Sequence, residues 1–152
     1  MTEIMEDAKE EIKRIDHLVY VTLKYTRTVD VLASVIERMI NAYEFTIDAL
    51  LKHAKNTKKI KEVPEIPLIK SQKVKEIFKH KIIIENIDTY LVFRKLIRAN
   101  YDSKNEYRRH VELSAIVDNV IVEINIDNIT DKYHSLRKFV EFVDKLIETE
   151  ND

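Results

Sequence analysis

The sequence predicts a mainly α-helical fold: a long-helix bundle with a β-hairpin inserted before the C-terminal helix. Three observations predict it. Apolar residues recur at steps of three and four over most of the 152 residues. The pattern changes to strict alternation for about twenty residues near the third quarter. A helical period then returns to the end. The apolar share of 45% is enough to build a core, and residues 1–152 are expected to form one domain.

The elements follow in chain order. Residues 3–13 form a charged amphipathic lead-in, with Ile4, Met5, Ala8 and Ile12 at helical spacing. From Asp16, a stripe of Leu18, Thr22, Tyr25, Val29, Leu32, Ile36, Met39 and Tyr43 predicts one helix over 16–54, with a kink near Thr26–Thr28. Residues 56–70 hold both prolines, Pro64 and Pro67, and are expected to be an extended connector. Ser71 is a candidate N-cap for a second long helix over 71–99, with Ile82–Ile84 as its weakest point. Alternation on both sides of Asp118-Asn119 predicts a β-hairpin over 107–126. Asn and Asp are the residues that best tolerate positive φ when a chain has no glycine. Asp127 or Thr130 caps the last helix, over 130–148, beyond which the acidic tail is expected to fray.

Composition excludes whole classes of chemistry. The chain has no cysteine, which removes disulfides, thiolate metal sites and a cysteine nucleophile. It has no glycine, which removes glycine-rich phosphate loops and the nucleophile elbow. No apolar run reaches the length of a membrane span, and the acidic start does not read as a signal peptide, so a soluble cytoplasmic protein is expected. Abundant Ile, Lys and Glu with a single glutamine, Gln72, fit a heat-adapted organism or an AT-rich genome. No metal and no cofactor are expected. The five histidines include no pair three or four apart, and only Asp131 and His134 offer two ligand types at i, i+3.

Charge is unevenly placed. Residues 1–51 balance at −4, residues 52–110 at +9 and residues 111–152 at −6. A basic middle attracts anions locally, or it lies against the acidic segments of its own chain or of a second copy. The run Lys58, Lys59, Lys61, Lys70, Lys73, Lys75, Lys79 and Lys81 has the look of solvated surface. A more pointed candidate is formed by Arg94, Arg98, Tyr101, Arg108 and His110. If the hairpin folds back on the end of the helix before it, the arginines converge on a phosphate or carboxylate, and Tyr101 or Tyr107 stacks a base. The alternative is a helix C-terminus dressed with cations to match its dipole. Tyr25, Arg27 and Asp30 interrupt the first stripe and form a second polar cluster, which either fixes helix register or marks a site.

The long-helix pattern, with DHLVYVTLKYTRTVDVLASVIERMINAYEF at the front, resembles the small archaeal members of the HEPN-like helical superfamily over about residues 16–100 and the final helix. That resemblance implies a helical bundle, often dimeric, that acts in RNA cleavage or nucleotide binding. Active members carry an arginine and a histidine four to six residues apart. This chain has no such pair, and the hairpin departs from the plain bundle. The resemblance therefore implies no catalytic residue here. The expected function is a non-catalytic or weakly nucleolytic module that binds RNA or a nucleotide. The other expectation is a structural or adaptor protein that binds a protein partner. Two helices of such length in so short a chain expose long apolar stripes, which predicts a homodimer.

Overall fold

The computed structural model describes residues 2–151. Helix α1 (Thr2–His17) passes through a π-helical turn, Leu18–Thr22, into a last short turn, α2 (Leu23–Tyr25). Thr26 leaves the helix at φ −131°, ψ 90°. The chain reverses at Thr26–Thr28 and continues as α3 (Val29–Asn56). The single helix expected over 16–54 is therefore two helices, and the lead-in at 3–13 is the start of the first. One cause is local bonding. Thr28 is the N-cap, and its Oγ1 accepts from the Val31 amide at 3.3 Å. The first arm buries Ile15, Val19 and Leu23 and leaves Tyr25 exposed, so the stripe expected through Leu18, Thr22 and Tyr25 holds only from Val29 onward, where Leu32, Ile36, Met39 and Tyr43 are buried.

Folded back in this way, the first arm covers one side of α3, burying Met5, Ala8 and Ile15 of α1, Val19 of the π-helical turn and Leu23 of α2. Helix α3 also packs against α4 (Pro67–Ile77), α5 (Lys81–Arg98) and α6 (Ile126–Asn151). Fifteen residues of α3 are buried, so most of its circumference is covered, and one narrow polar face, with Asp30, Ser34, Glu37, Asn41 and Lys52, stays exposed. Its long stripe is thus covered within the chain, and the reason given above for a homodimer falls away.

The connector is shorter than expected, because Pro67 starts α4 at the first helical position, where its missing amide costs nothing. Ser71 is not an N-cap. It lies buried inside α4 and its hydroxyl donates to the Pro67 carbonyl at 3.0 Å. The helix expected over 71–99 is broken, at Phe78–His80 rather than at Ile82–Ile84. Phe78 turns into the core there, 6.5 Å from the buried His53 ring.

The sheet has three antiparallel strands in the order β1 (Asp102–Lys104), β2 (Glu112–Val117) and β3 (Val120–Asn125). The hairpin forms about the expected turn, with Asp118 at φ 51° and Asn119 at φ 66°, the two left-handed positions of a type I′ turn. Residues 107–111 are loop rather than strand, and β1 is an addition. Leu113, Ala115, Val117 and Ile124 face the core, while Ile116 and Ile121, paired across the strands, are exposed. Lys95 on α5 ties down the turn through Asp118, at 2.7 Å.

Helix α6 starts at Ile126, ahead of the expected 130, and runs on to Asn151. The early start comes from a reciprocal cap. The Asn128 amide donates to Asn125 Oδ1 at 2.8 Å, and the Asn125 amide donates to Asn128 Oδ1 at 2.9 Å. Asn125→Ala and Asn128→Ala are each expected to cost about 1 kcal/mol, measured as a lower urea midpoint at unchanged slope.

Contacts fix the helix directions. Tyr133 donates to Asp16 at 2.7 Å and Lys9 meets Asp144 at 2.9 Å, so α6 runs antiparallel to α1. Phe139 lies against Tyr43 and Glu150 reaches His53, so α6 runs parallel to α3. The C-terminus of α5, the N-termini of α3 and α6, and the sheet thus share one end of the bundle.

Three buried tyrosines give this core a pH signature. Burial pushes up the Tyr43 hydroxyl, and burial with the Glu44 carboxylate pushes up that of Tyr90. Burial, then Asp16, pushes Tyr133 up to about 12. The unfolded chain loses these protons first, near the ordinary value of about 10. The stabilisation is therefore complete below that pH and is lost as pH rises through the folded values. Urea midpoints are expected to fall between pH 9 and pH 12, and less steeply in Tyr43→Phe.

Candidate anion-binding site

Two distant stretches of sequence meet at the sheet end. The Tyr107 amide donates to the Arg27 carbonyl at 2.6 Å. Both Glu106 carboxylate oxygens accept from the Val29 amide, at 3.1 and 3.3 Å. Glu106 thus sits at the N-terminus of α3, where backbone amides are unpaired and negative charge is favoured. The loop is braced from within by Arg108 amide to Asn105 carbonyl at 3.1 Å and Val111 amide to Arg108 carbonyl at 3.0 Å. The side-chain amide of Asn105 donates to the His110 carbonyl at 3.3 Å. Val111, fully buried, anchors its end.

These bonds hold Tyr107 at φ 66°. The left-handed region costs a bulky residue about 1–2 kcal/mol, and it is held only where the surroundings over-determine it. The ring gains no burial in return, since Tyr107 is 79% exposed. Tyr25, at the other side of the contact, is 81% exposed. Two tyrosines therefore stand out from the same end of the molecule.

The same end of the bundle carries several cations. Among the described residues, the arginine ion pairs are those of Arg14, Arg38, Arg94 and Arg109. Arg27, Arg98 and Arg108 have none, and Arg98, Lys104 and Arg108 are exposed. Arg27 is partly buried, with its Nε enclosed and without a partner. The stretch 94–110 holds six bases and two acids. Glu106, one of those acids, is already bound to the α3 amide. A cleft of about 200 Å³ beside the loop is lined by Asn105, Arg109, His110, Glu112, Asn125, Ile126 and Asp127.

The sequence candidates separate clearly. Tyr25, Arg27, Arg98, Arg108 and His110 lie at the sheet end. Arg94 does not serve the site: it is bound to Glu44 at 3.0 Å and to the Tyr90 hydroxyl at 3.3 Å. Tyr101 is half-buried against the core, unlike the exposed Tyr107. Asp30 is exposed in the first turn of α3 and makes no ion pair with Arg27. Arg109 turns to Asp127 at 3.0 Å. The His110 ring has no hydrogen-bond partner among the described residues.

Two features escaped the sequence reading. One is the 2.6 Å hydrogen bond between the Tyr20 hydroxyl and His134 Nε2, where the π-turn meets α6. The other is an open groove of about 680 Å³ between α5 and α6, with Lys81, Lys132, Lys138 and Ser135 among its lining. Among the described residues, no group of three His, Asp or Glu is placed to hold a metal ion. No described helix is long and apolar enough to cross a membrane. No protein-family model, curated protein or solved structure matches the chain.

Proposed function

We propose that the protein is a non-catalytic RNA-binding module of HEPN-like architecture, which holds a single strand across the sheet end of its bundle. The observation that carries this reading is Tyr107: an aromatic ring held in solvent by a strained backbone, beside unpaired arginines. A strain that buries nothing is accounted for by what the ring contacts outside the chain. Every base has a π-face, so an exposed tyrosine stacks bases without regard to sequence. Arg98, Arg108 and Lys104 supply the phosphate contacts, and Arg27 supports the loop from below. Nothing orients His110 as an acid or base, which is why binding without cleavage is the reading.

The test is a fluorescence-anisotropy titration with a short mixed-sequence RNA. Salt-sensitive binding is expected, with affinity falling between about 50 and about 200 mM salt at a log–log slope of about −2, the value for three phosphate contacts on a single strand. Absence of binding at low salt overturns the reading, and so does a slope near zero.

A further inference from the structure

We infer that β3 is the dimerisation edge of the protein: two copies join their sheets antiparallel through this strand, centred on Ile121. The sheet order leaves one side of β3 without a strand. The two-residue turn makes Val117 and Val120 a hydrogen-bonded pair, so Val120, Val122 and Ile124 bond to β2. The backbone groups of Ile121, Glu123 and Asn125 then point to the open edge. Asn128 already occupies part of it. Its side-chain amide donates to the Glu123 carbonyl at 2.8 Å, and its Oδ1 takes the Asn125 amide at 2.9 Å. What remains is the amide and carbonyl of Ile121 and the amide of Glu123. Ile121 alone keeps both groups needed for a reciprocal pair.

That remainder selects both occupant and register. A second copy related by a two-fold axis through Ile121 gives two hydrogen bonds, each amide meeting the other's carbonyl. The same register sets Val120 opposite Val122 of the second copy on the inner face. On the outer face it joins Ile116 and Ile121 of both copies into one isoleucine row. These two side chains are each 67% exposed in the single chain, and Val120 is 61% exposed. Charge agrees with this register. Glu123 falls opposite Asn119 of the second copy, whose amide can donate to it. Centring the pair on Glu123 instead opposes two carboxylates, and centring it on Val122 needs the Glu123 carbonyl that Asn128 has taken. The other sheet edge is unsuited to this role: β1 has three residues and carries Asp102 and Lys104.

The absence of cysteine from the chain makes a direct test available. Hydrogen-bonded antiparallel partners lie about 5.5 Å apart at Cα, within disulfide reach. Ile121→Cys is expected to form a disulfide dimer under mild oxidation, at least about tenfold faster than Ser103→Cys on the opposite edge. Sedimentation of the unmodified protein is expected to show a concentration-dependent dimer. Ile121→Lys is expected to abolish that dimer while keeping the helical circular-dichroism spectrum. Equal cross-linking rates, a monomer at every concentration, or a dimer that survives Ile121→Lys each overturn the inference. RNA binding by a monomer leaves the preceding section intact, so the two readings fail separately.

Discussion

Replacing Tyr107 with glycine is expected to make the protein more stable and a poorer RNA binder. Glycine takes φ 66° without the left-handed penalty, which is worth about 1 kcal/mol after allowance for its greater freedom in the unfolded chain. The amide that donates to Arg27 is retained, so the loop keeps its anchor. The ring is lost, and a stacked base contributes about 1–3 kcal/mol, a loss of about fivefold to about 150-fold in affinity. A rise in urea midpoint together with a rise in Kd separates a functional strain from an incidental one. Arg98→Ala with Arg108→Ala is expected to act through charge instead, flattening the salt slope by about 1.4 units for two lost phosphate contacts. Arg94→Ala is the contrasting variant. It leaves RNA affinity unchanged and lowers stability, since its loss leaves Glu44 and the Tyr90 hydroxyl without their cation. If Tyr107→Gly binds RNA as tightly as the parent, the tyrosine has no part in recognition.

Tyr43→Ala is expected to give the largest loss of stability, about 3–5 kcal/mol. Tyr43 is fully buried in the central helix, with ring centroids 5.8 Å from Tyr90 and 6.1 Å from Phe139. It therefore joins α3, α5 and α6 at one point. Truncation leaves a cavity that three packed helices cannot close. Whole domains have only about 5–15 kcal/mol of stability, so this variant is expected to be partly unfolded at moderate urea. Tyr43→Phe keeps the ring and loses one long hydrogen bond to Asn86 Oδ1, at 3.4 Å, for about 1 kcal/mol or less. A loss in Tyr43→Phe as large as that in Tyr43→Ala would show that the hydroxyl, rather than the ring, holds the helices together.

The parts of this fold that were legible in sequence are those with a strong local signal. The helical stripe of α3 and the paired alternation around Asp118-Asn119 are of this kind. The break at Thr26–Thr28 was legible only as a kink, and the break at Phe78–His80 was misplaced to Ile82–Ile84, for a physical reason. A chain without glycine, with both prolines confined to 64 and 67, lacks the residues that normally mark a reversal. Thr26–Thr28 is set by a threonine cap and by Glu106, which lies 77 residues from the Val29 amide it accepts from. Strand β1 is three exposed residues, too short to show alternation. The site divides along the same line. The polar cluster at 25–30 and the basic loop were visible separately, but their meeting depends on one backbone hydrogen bond. Arg94 looked available because its acid partner, Glu44, is on another helix.

Five residues with side chains, Lys58, Asn105, Tyr107, Asp118 and Asn119, occupy backbone space that other proteins give to glycine. The disordered form of this chain is correspondingly narrower, since no position in it has glycine's freedom, and folding surrenders less entropy. The fold thereby exchanges a small native penalty at five bends for a lower entropic barrier along its whole length. Each bend is also closed by a bond rather than left as a hinge, so motion is expected to enter through fraying helix ends before it enters through the loops.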